Sequence, residues 1–193
     1  MALKYLLPLP ALLFGIVLMF KGKRLPASAF LLYACGDFAG VSGWFLPQMG
    51  LFAAGHLLLV SALLYRLRLR RAADDPDTVF SVHSALLRLL PALGLILLVI
   101  LVILPHTQGL MAVLVAAYSA LLLLALTLGL FCRSRLLTAG FLLFVASDLM
   151  IAYGRFVASL PHSSALVCGT YVAALVLLFA AMLYNTSRPM SLR

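Results

Sequence analysis

What this 193-residue chain has least of is charge: Asp, Glu, Lys and Arg together make up 10% of it, and only five residues are acidic. Hydrophobic residues make up 65% of the chain, and the mean hydropathy is +1.18. A soluble domain of this length needs more polar surface than that, so the soluble class is excluded and a polytopic membrane protein is implied. Cysteine is scarce too. Cys35, Cys132 and Cys168 are odd in number, lie within or at the ends of apolar runs, and share no metal-ligand spacing, which argues against a disulfide framework. A thiol in such surroundings is inert, so none of the three is read as a nucleophile. The first apolar run has no small-residue cleavage site followed by a polar mature sequence, so no cleavable signal is expected. With no polar stretch long enough for a soluble domain, residues 1–193 are read as one transmembrane helical domain.

Apolar runs are what the chain has in quantity. Stretches long enough to cross ~30 Å of hydrocarbon fall at residues 4–20, 26–45, 48–66, 86–104, 109–131, 136–156 and 164–185. The expected fold is therefore an all-α bundle of about seven transmembrane helices. Its connections are short, with a turn expected around Pro47 and a longer polar stretch from Arg66 to Ser84. In that stretch Asp74, Asp75 and Asp77 crowd together. Asp75 or Asp77 reads as a helix cap, with Pro76 suited to the first turn, in preference to an acidic metal site. Phe80, His83 and Leu87 then read as an interfacial lead-in to the fourth span, with Arg88 reaching for headgroups.

The basic residues set the orientation. If seven helices alternate, twelve of the fourteen, including Lys21, Lys23, Arg24, Arg66, Arg135 and Arg193, fall on one side, and only Lys4 and Arg155 on the other. By the positive-inside rule the C-terminus is cytoplasmic and the N-terminus outside. The net charge of +9 is thus a topology signal that also attracts anionic bilayer lipid. Nucleic acid is not expected as a partner, no cofactor or metal is implied, and oligomeric state is left open. The location is an integral, multi-pass one, in the cytoplasmic (inner) membrane if the source is bacterial.

Two acids remain inside the spans, Asp37 in Cys35-Gly36-Asp37-Phe38-Ala39-Gly40 and Asp148 in Ala146-Ser147-Asp148-Leu149-Met150. An ionised group at bilayer depth costs at least ~2.5–3.5 kcal/mol, so such acids are paired, protonated, or line a wet cavity with a task. At a rise of about 1.5 Å per residue, Asp37, His56, Asp148 and Tyr171 all fall in the middle-to-outer slab of the membrane. Their coincidence in depth marks a candidate site. His56 has the alternative of bonding a neighbouring backbone carbonyl, and Tyr171 that of packing with a satisfied hydroxyl. Tyr33, one turn before Asp37, and Ser147, beside Asp148, read as partners for the carboxyl groups. Gly36, Gly40, Gly43, Gly50 and Gly55 cluster around these positions and serve either close helix contact or space for a ligand tail.

These residues resemble a known family. Gly36-Asp37, Phe52-Ala53-Ala54-Gly55-His56-Leu57, Ser147-Asp148-Leu149-Met150-Ile151-Ala152 with Phe156, and Leu160-Pro161-His162 leading to Thr170-Tyr171 are similar, in order and spacing, to the YhhN-like lysoplasmalogenases. The start, Lys4 with Leu7-Pro8-Leu9-Pro10, resembles that family's Lys-Pro-Leu-Pro opening of its second helix. The resemblance implies eight helices, of which this chain is expected to lack the first. It also implies hydrolysis of the vinyl ether bond of a lysophospholipid substrate, releasing a fatty aldehyde and glycerophospho-ethanolamine or -choline. Where the family reads Tyr-Tyr-x-Ala-Gln, this chain has Tyr171-Val172-Ala173-Ala174-Leu175, so one polar contact is lost.

Vinyl ether hydrolysis needs an acid that protonates carbon and a group that stabilises the oxocarbenium ion and activates water, a task two carboxyl groups in different surroundings can share. Asp37 and Asp148 are the expected pair, with His56 and Tyr171 orienting water or substrate. Arg155, seven residues after Asp148 and on the same helical face, is expected near the lysolipid phosphate with His162 and Trp44, the tail running inward among the glycine-lined helices; snorkelling to lipid headgroups is its alternative. Another class of protein remains open, a small proton-coupled transporter with Asp37, Asp148 and His56 as a relay. A metal-dependent hydrolase would need more inward ligands than His106 and His162 supply from the connections. The charge count makes its own prediction: a reporter fused after Arg193 is cytoplasmic and a tag before Met1 is reached from outside, and finding both ends on one side refutes the seven-span reading.

Overall fold

The computed structural model describes residues 6–72, 90, 92–132 and 134–184. Among them are seven helices and no strand: α1 Pro8–Phe20, α2 Arg24–Val41, α3 Phe45–Ala72, α4 Ala92–His106, α5 Gly109–Phe131, α6 Arg135–Phe156 and α7 Ser163–Tyr184. The expected cap at Asp75 or Asp77 and the lead-in through Phe80, His83, Leu87 and Arg88 lie outside the described residues, as do Lys4 and the chain end beyond Tyr184. Four helices, α3, α5, α6 and α7, are long and apolar enough to cross a membrane, and the chain is an integral membrane protein. The helices α1 and α4 are shorter apolar helices, while α2 has 18 residues but carries Arg24 and Asp37.

Helix ends explain the tight connections. Both α1 and α2 finish with a glycine in the left-handed region, Gly22 at φ 72° and Gly43 at φ 82°, a conformation that costs glycine little. After α2, Gly43 N–H bonds the Gly40 carbonyl and Trp44 N–H the Ala39 carbonyl at 2.8 Å; Gly22 and Lys23 do the same for Met19 and Leu18. These paired bonds satisfy the last carbonyls and reverse the chain within three residues. The turn between α2 and α3 is therefore Ser42 to Trp44, and the expected turn around Pro47 is corrected. Pro47 sits in the first turn of α3, where a missing N–H leaves no helix bond unmade.

Packing runs from α1 to α2, α3, α5, α6 and α7 and back to α1, with α4 lying outside that ring against α5 and α6. At one seam Phe14 of α1 stacks on Phe179 of α7 at 4.3 Å, with Phe30 of α2 edge-on to both. Lys23 reaches across the same end to donate to the α7 carbonyls of Met182 and Leu183, at 2.5 and 2.9 Å, as suits a cation at a helix C-terminus. Burial, then the nearby charges of Arg66 and Lys21, hold its ammonium below the usual lysine pKa. Outward, large apolar side chains such as Phe20, Leu101, Leu110 and Val113 are exposed, a surface suited to hydrocarbon.

The glycines serve helix contact. A Cβ on Gly36 would stand 2.6 Å from the Phe52 ring, one on Gly55 2.5 Å from the Tyr33 ring, and one on Gly40 would collide with the Gln48 side chain. At these three positions the side chains of neighbouring helices fill the space, so here the glycines serve close contact. Around Gly50 the space is open. Gly55→Ala should therefore cost about 1–3 kcal/mol through overpacking, whereas Gly50→Ala should be neutral or stabilise, since alanine favours a helix by up to ~1 kcal/mol. Thermal unfolding of the two variants in detergent checks this; equal midpoints would mean that α2 and α3 do not meet as closely as described.

Candidate active site

Inside the ring, five helices bring polar groups to one place. Tyr33 and Asp37 come from α2, His56 from α3, Tyr118 from α5, Asp148 from α6 and Tyr171 from α7, and all but Tyr118, which is half-buried, are buried. The Tyr171 hydroxyl donates to Asp37 Oδ2 at 2.9 Å. The Tyr118 hydroxyl donates to Asp148 Oδ2 at 2.5 Å. Each carboxyl thus meets a phenol from a different helix. A buried carboxyl without such a donor would carry the full cost of its lost hydration.

Those pairings differ from the ones expected. Tyr33 and Ser147 were the expected partners, yet Ser147, one residue round the helix from Asp148, turns toward α7 and bonds the Val167 carbonyl at 3.3 Å. The Tyr33 ring runs over Gly55 toward His56, at 5.1 Å between ring centroids, and its hydroxyl has no hydrogen-bond partner among the described residues. Tyr118 went unnoticed in the sequence although the signal was there: it lies about nine residues into α5, the same middle depth that singled out His56. Phe144 carried no signal, being one phenylalanine among twelve, and Phe52 entered only within the stretch that carries the family resemblance. They form the walls: Phe144 stands edge-on to His56 at 4.5 Å and to Tyr171 at 5.4 Å, and Phe52 stacks on Tyr171 at 5.8 Å.

His56 has both of the features weighed for it. Its Nδ1 bonds the Phe52 carbonyl at 2.9 Å, one turn back in α3, while Nε2 is buried and has no partner among the described residues. A carbonyl can only accept, so Nδ1 is the protonated nitrogen and a neutral ring leaves the lone pair on Nε2.

A cleft opens beside this cluster. It holds a cavity of about 60 Å³, room for several water-sized groups, and its walls come from α3, α4, α5 and α6. Asp148, Tyr118, Ser119 and Gln48 are its polar members, and Val99 and Ile103 contribute from a stretch where α4 widens into a π-turn. Asp37, His56 and Tyr171 do not line it; Phe52, which does, stacks on the Tyr171 ring. The cleft thus lies on the α4 side of the ring, while Asp37 and Tyr171 tie α2 to α7 by their hydrogen bond. Arg155 is exposed, with its guanidinium 5.1 Å above the ring of Phe45, a residue of the cleft rim. His162 is exposed in the turn before α7, at φ 55°, its carbonyl accepting from Ala165 and Leu166, and stands apart from the cleft lining, as does the exposed Trp44. Leu175 is wholly buried, so an apolar core slot occupies that place. Cys35, Cys132 and Cys168 form no disulfide with one another. Among the described residues no three His, Cys or acidic groups gather as a metal site would require.

Comparison with known proteins adds one match. No curated protein and no solved structure matches the chain. The sequence model of the YhhN family does match, over residues 2–182, a stretch that takes in every residue of the cluster and the cleft. With its two buried aspartates and nearly its whole length inside that match, this chain belongs to the YhhN family.

Proposed function

We propose that this protein is a membrane-embedded hydrolase that cleaves the vinyl ether bond of lysoplasmalogens, giving a fatty aldehyde and a glycerophospho-ethanolamine or -choline. The observation that carries the reading is the contrast between the two carboxyl groups: Asp148 lines an open apolar cleft, and Asp37 is buried and takes no part in that lining. Vinyl ether cleavage needs such a division, one acid in contact with the alkenyl carbon and one charge nearby that does not itself react. Asp148, its Oδ2 anchored by Tyr118, gives a proton to the carbon remote from the ether oxygen. Asp37, anchored by Tyr171, is the fixed partner charge for the oxocarbenium ion that results. Family membership supports the reading, and so does an apolar cleft with its polar groups gathered at the carboxyl.

The substrate's single chain enters the cleft between α4 and the ring, and its headgroup stays at the rim where Arg155 lies over Phe45. A seven-residue offset places Arg155 about 10 Å from Asp148 along α6, so a phosphate held there leaves the reacting bond deeper in the cleft. Purified protein in detergent, given a lysoplasmalogen, should release aldehyde, with or without chelator. No aldehyde from any vinyl ether lipid would sink the hydrolase reading and leave the proton-coupled carrier.

Two predictions follow from the roles. Asp148→Asn and Asp37→Asn keep shape and the tyrosine contacts but cannot ionise, so each should lower turnover by ~10²-fold or more while the protein stays folded, since a neutral amide is cheaper than a charge at that depth; near-normal activity in either variant makes that aspartate structural. Arg155→Ala should raise KM for the lysolipid far more than it lowers kcat, as loss of a binding contact does. An unchanged KM removes Arg155 from the headgroup site and leaves it a snorkelling residue.

A further inference from the structure

Two buried polar atoms in the cluster are not used by either aspartate. Tyr33 Oη and His56 Nε2 are the described buried side-chain atoms that lack a hydrogen-bond partner, and both residues are completely buried. They belong to neighbouring rings, 5.1 Å between centroids and tilted by 55°. Buried polar groups are rarely left unmatched, and those that are point to a function or to an unassigned ligand. The two atoms are chemically complementary: the phenol donates, and Nε2 of a ring whose Nδ1–H is tied to the Phe52 carbonyl accepts. Something small that both donates and accepts would satisfy the pair, and water has that chemistry.

We infer that Tyr33 Oη and His56 Nε2 together seat the water that hydrolyses the oxocarbenium ion, with His56 as its base. The inference rests on the hydrolase reading and assigns the second half of that reaction. Position favours it. Two residues of the cleft lining meet His56: its Nδ1 bonds the Phe52 carbonyl, and its ring stands edge-on to Tyr118, the phenol bonded to Asp148, at 6.3 Å between centroids. The packing that fixes the two rings is specific as well: Tyr33 lies in the notch left by Gly55, one residue before His56, and Phe144 holds the imidazole edge-on.

The step balances. After Asp148 has protonated the remote carbon, the water oxygen forms a bond to the cationic carbon next to the ether oxygen, and the water proton passes to His56 Nε2. The imidazolium is then balanced by the carboxylate that Asp148 has become. Collapse of the hemiacetal breaks the bond to the glycerol oxygen, which takes the proton from His56, while the hemiacetal hydroxyl returns its proton to Asp148. Aldehyde and alcohol leave, one water has been consumed, and both side chains are restored.

Nitrogen resonances of selectively labelled histidine, with the His56 signal assigned by its loss in His56→Gln, test the seat without reference to turnover. Wild type should show a neutral ring protonated at Nδ1, with Nε2 hydrogen-bonded and in exchange contact with water, and Tyr33→Phe should move Nε2 toward its unbonded position. A ring protonated at Nε2, or a signal unmoved by Tyr33→Phe, overturns the inference even if the enzyme is active. Kinetics in D₂O test the assignment to the second step. Aldehyde release should fall by roughly 10²-fold in His56→Gln and about tenfold in Tyr33→Phe, while deuterium appears at the remote vinyl carbon of recovered substrate because the cation reverts when water is not delivered. Loss of aldehyde without that exchange, or no loss, refutes the water-delivery role. Absence of aldehyde from wild type instead sinks the hydrolase reading, and the nitrogen spectra still decide whether the two atoms hold water.

Discussion

A carboxyl group inside an apolar helix bundle has to be given a hydrogen-bond donor, and the rest of this structure is arranged around doing so twice. Neither donor is local. Tyr118 reaches Asp148 from the preceding helix and Tyr171 reaches Asp37 from a helix 134 residues away. Each pair ties two helices together across the core: α5 to α6, and α2 to α7. The small residues follow from this demand. Gly36 and Gly55 admit the rings of Phe52 and Tyr33 where a methyl group would collide, so α2 and α3 can close around the cluster.

The same constraint divides the two acids. Asp37 is buried where its bond to Tyr171 ties α2 to α7, whereas α4 lies outside the ring, so the flank of Asp148 faces a cleft. Two chemically identical side chains thereby acquire different access to anything that enters from the lipid. That difference, more than the presence of two aspartates, is what acid and partner-charge roles require. It also places the rim cation sensibly: Arg155 shares a helix face with Asp148, and its guanidinium rests on Phe45 at the mouth.

Hydropathy made the helices legible in the sequence, and depth counting found most of the cluster. The fifth run, 109–131, coincides with α5, and the sixth and seventh each differ from α6 and α7 by one residue at their ends. The second run was drawn too long because Pro47 looked like a turn signal, while the actual reversal depends on Gly43, whose left-handed conformation is set by hydrogen bonds to Ala39 and Gly40. Asp37, His56, Asp148 and Tyr171 could be found because a polar group is conspicuous in an apolar run. What could not be read was rotation about each helix axis. Depth is a count along the chain, but whether Ser147 or Tyr118 meets Asp148 depends on the angular setting of three helices, which no spacing within one helix determines. The cleft was hidden for the same reason, since it arises from α4 standing outside the ring.

Stability alone does not account for the centre of the cluster. A core built only to be stable would match every buried polar atom or replace it with carbon, because an unmatched donor or acceptor costs about 1–3 kcal/mol while an apolar group of the same shape can cost nothing. Here phenylalanine at position 33 would keep the ring in the Gly55 notch and its edge contacts with Phe30 and Phe52, and would remove one orphan. Position 56 is similar: its bond to the Phe52 carbonyl adds little, since a helix already uses that carbonyl. The chain keeps an unmatched hydroxyl and an unmatched imidazole nitrogen on neighbouring rings. Local rules are broken in one small volume and obeyed around it, which is the pattern of a site kept for its chemistry.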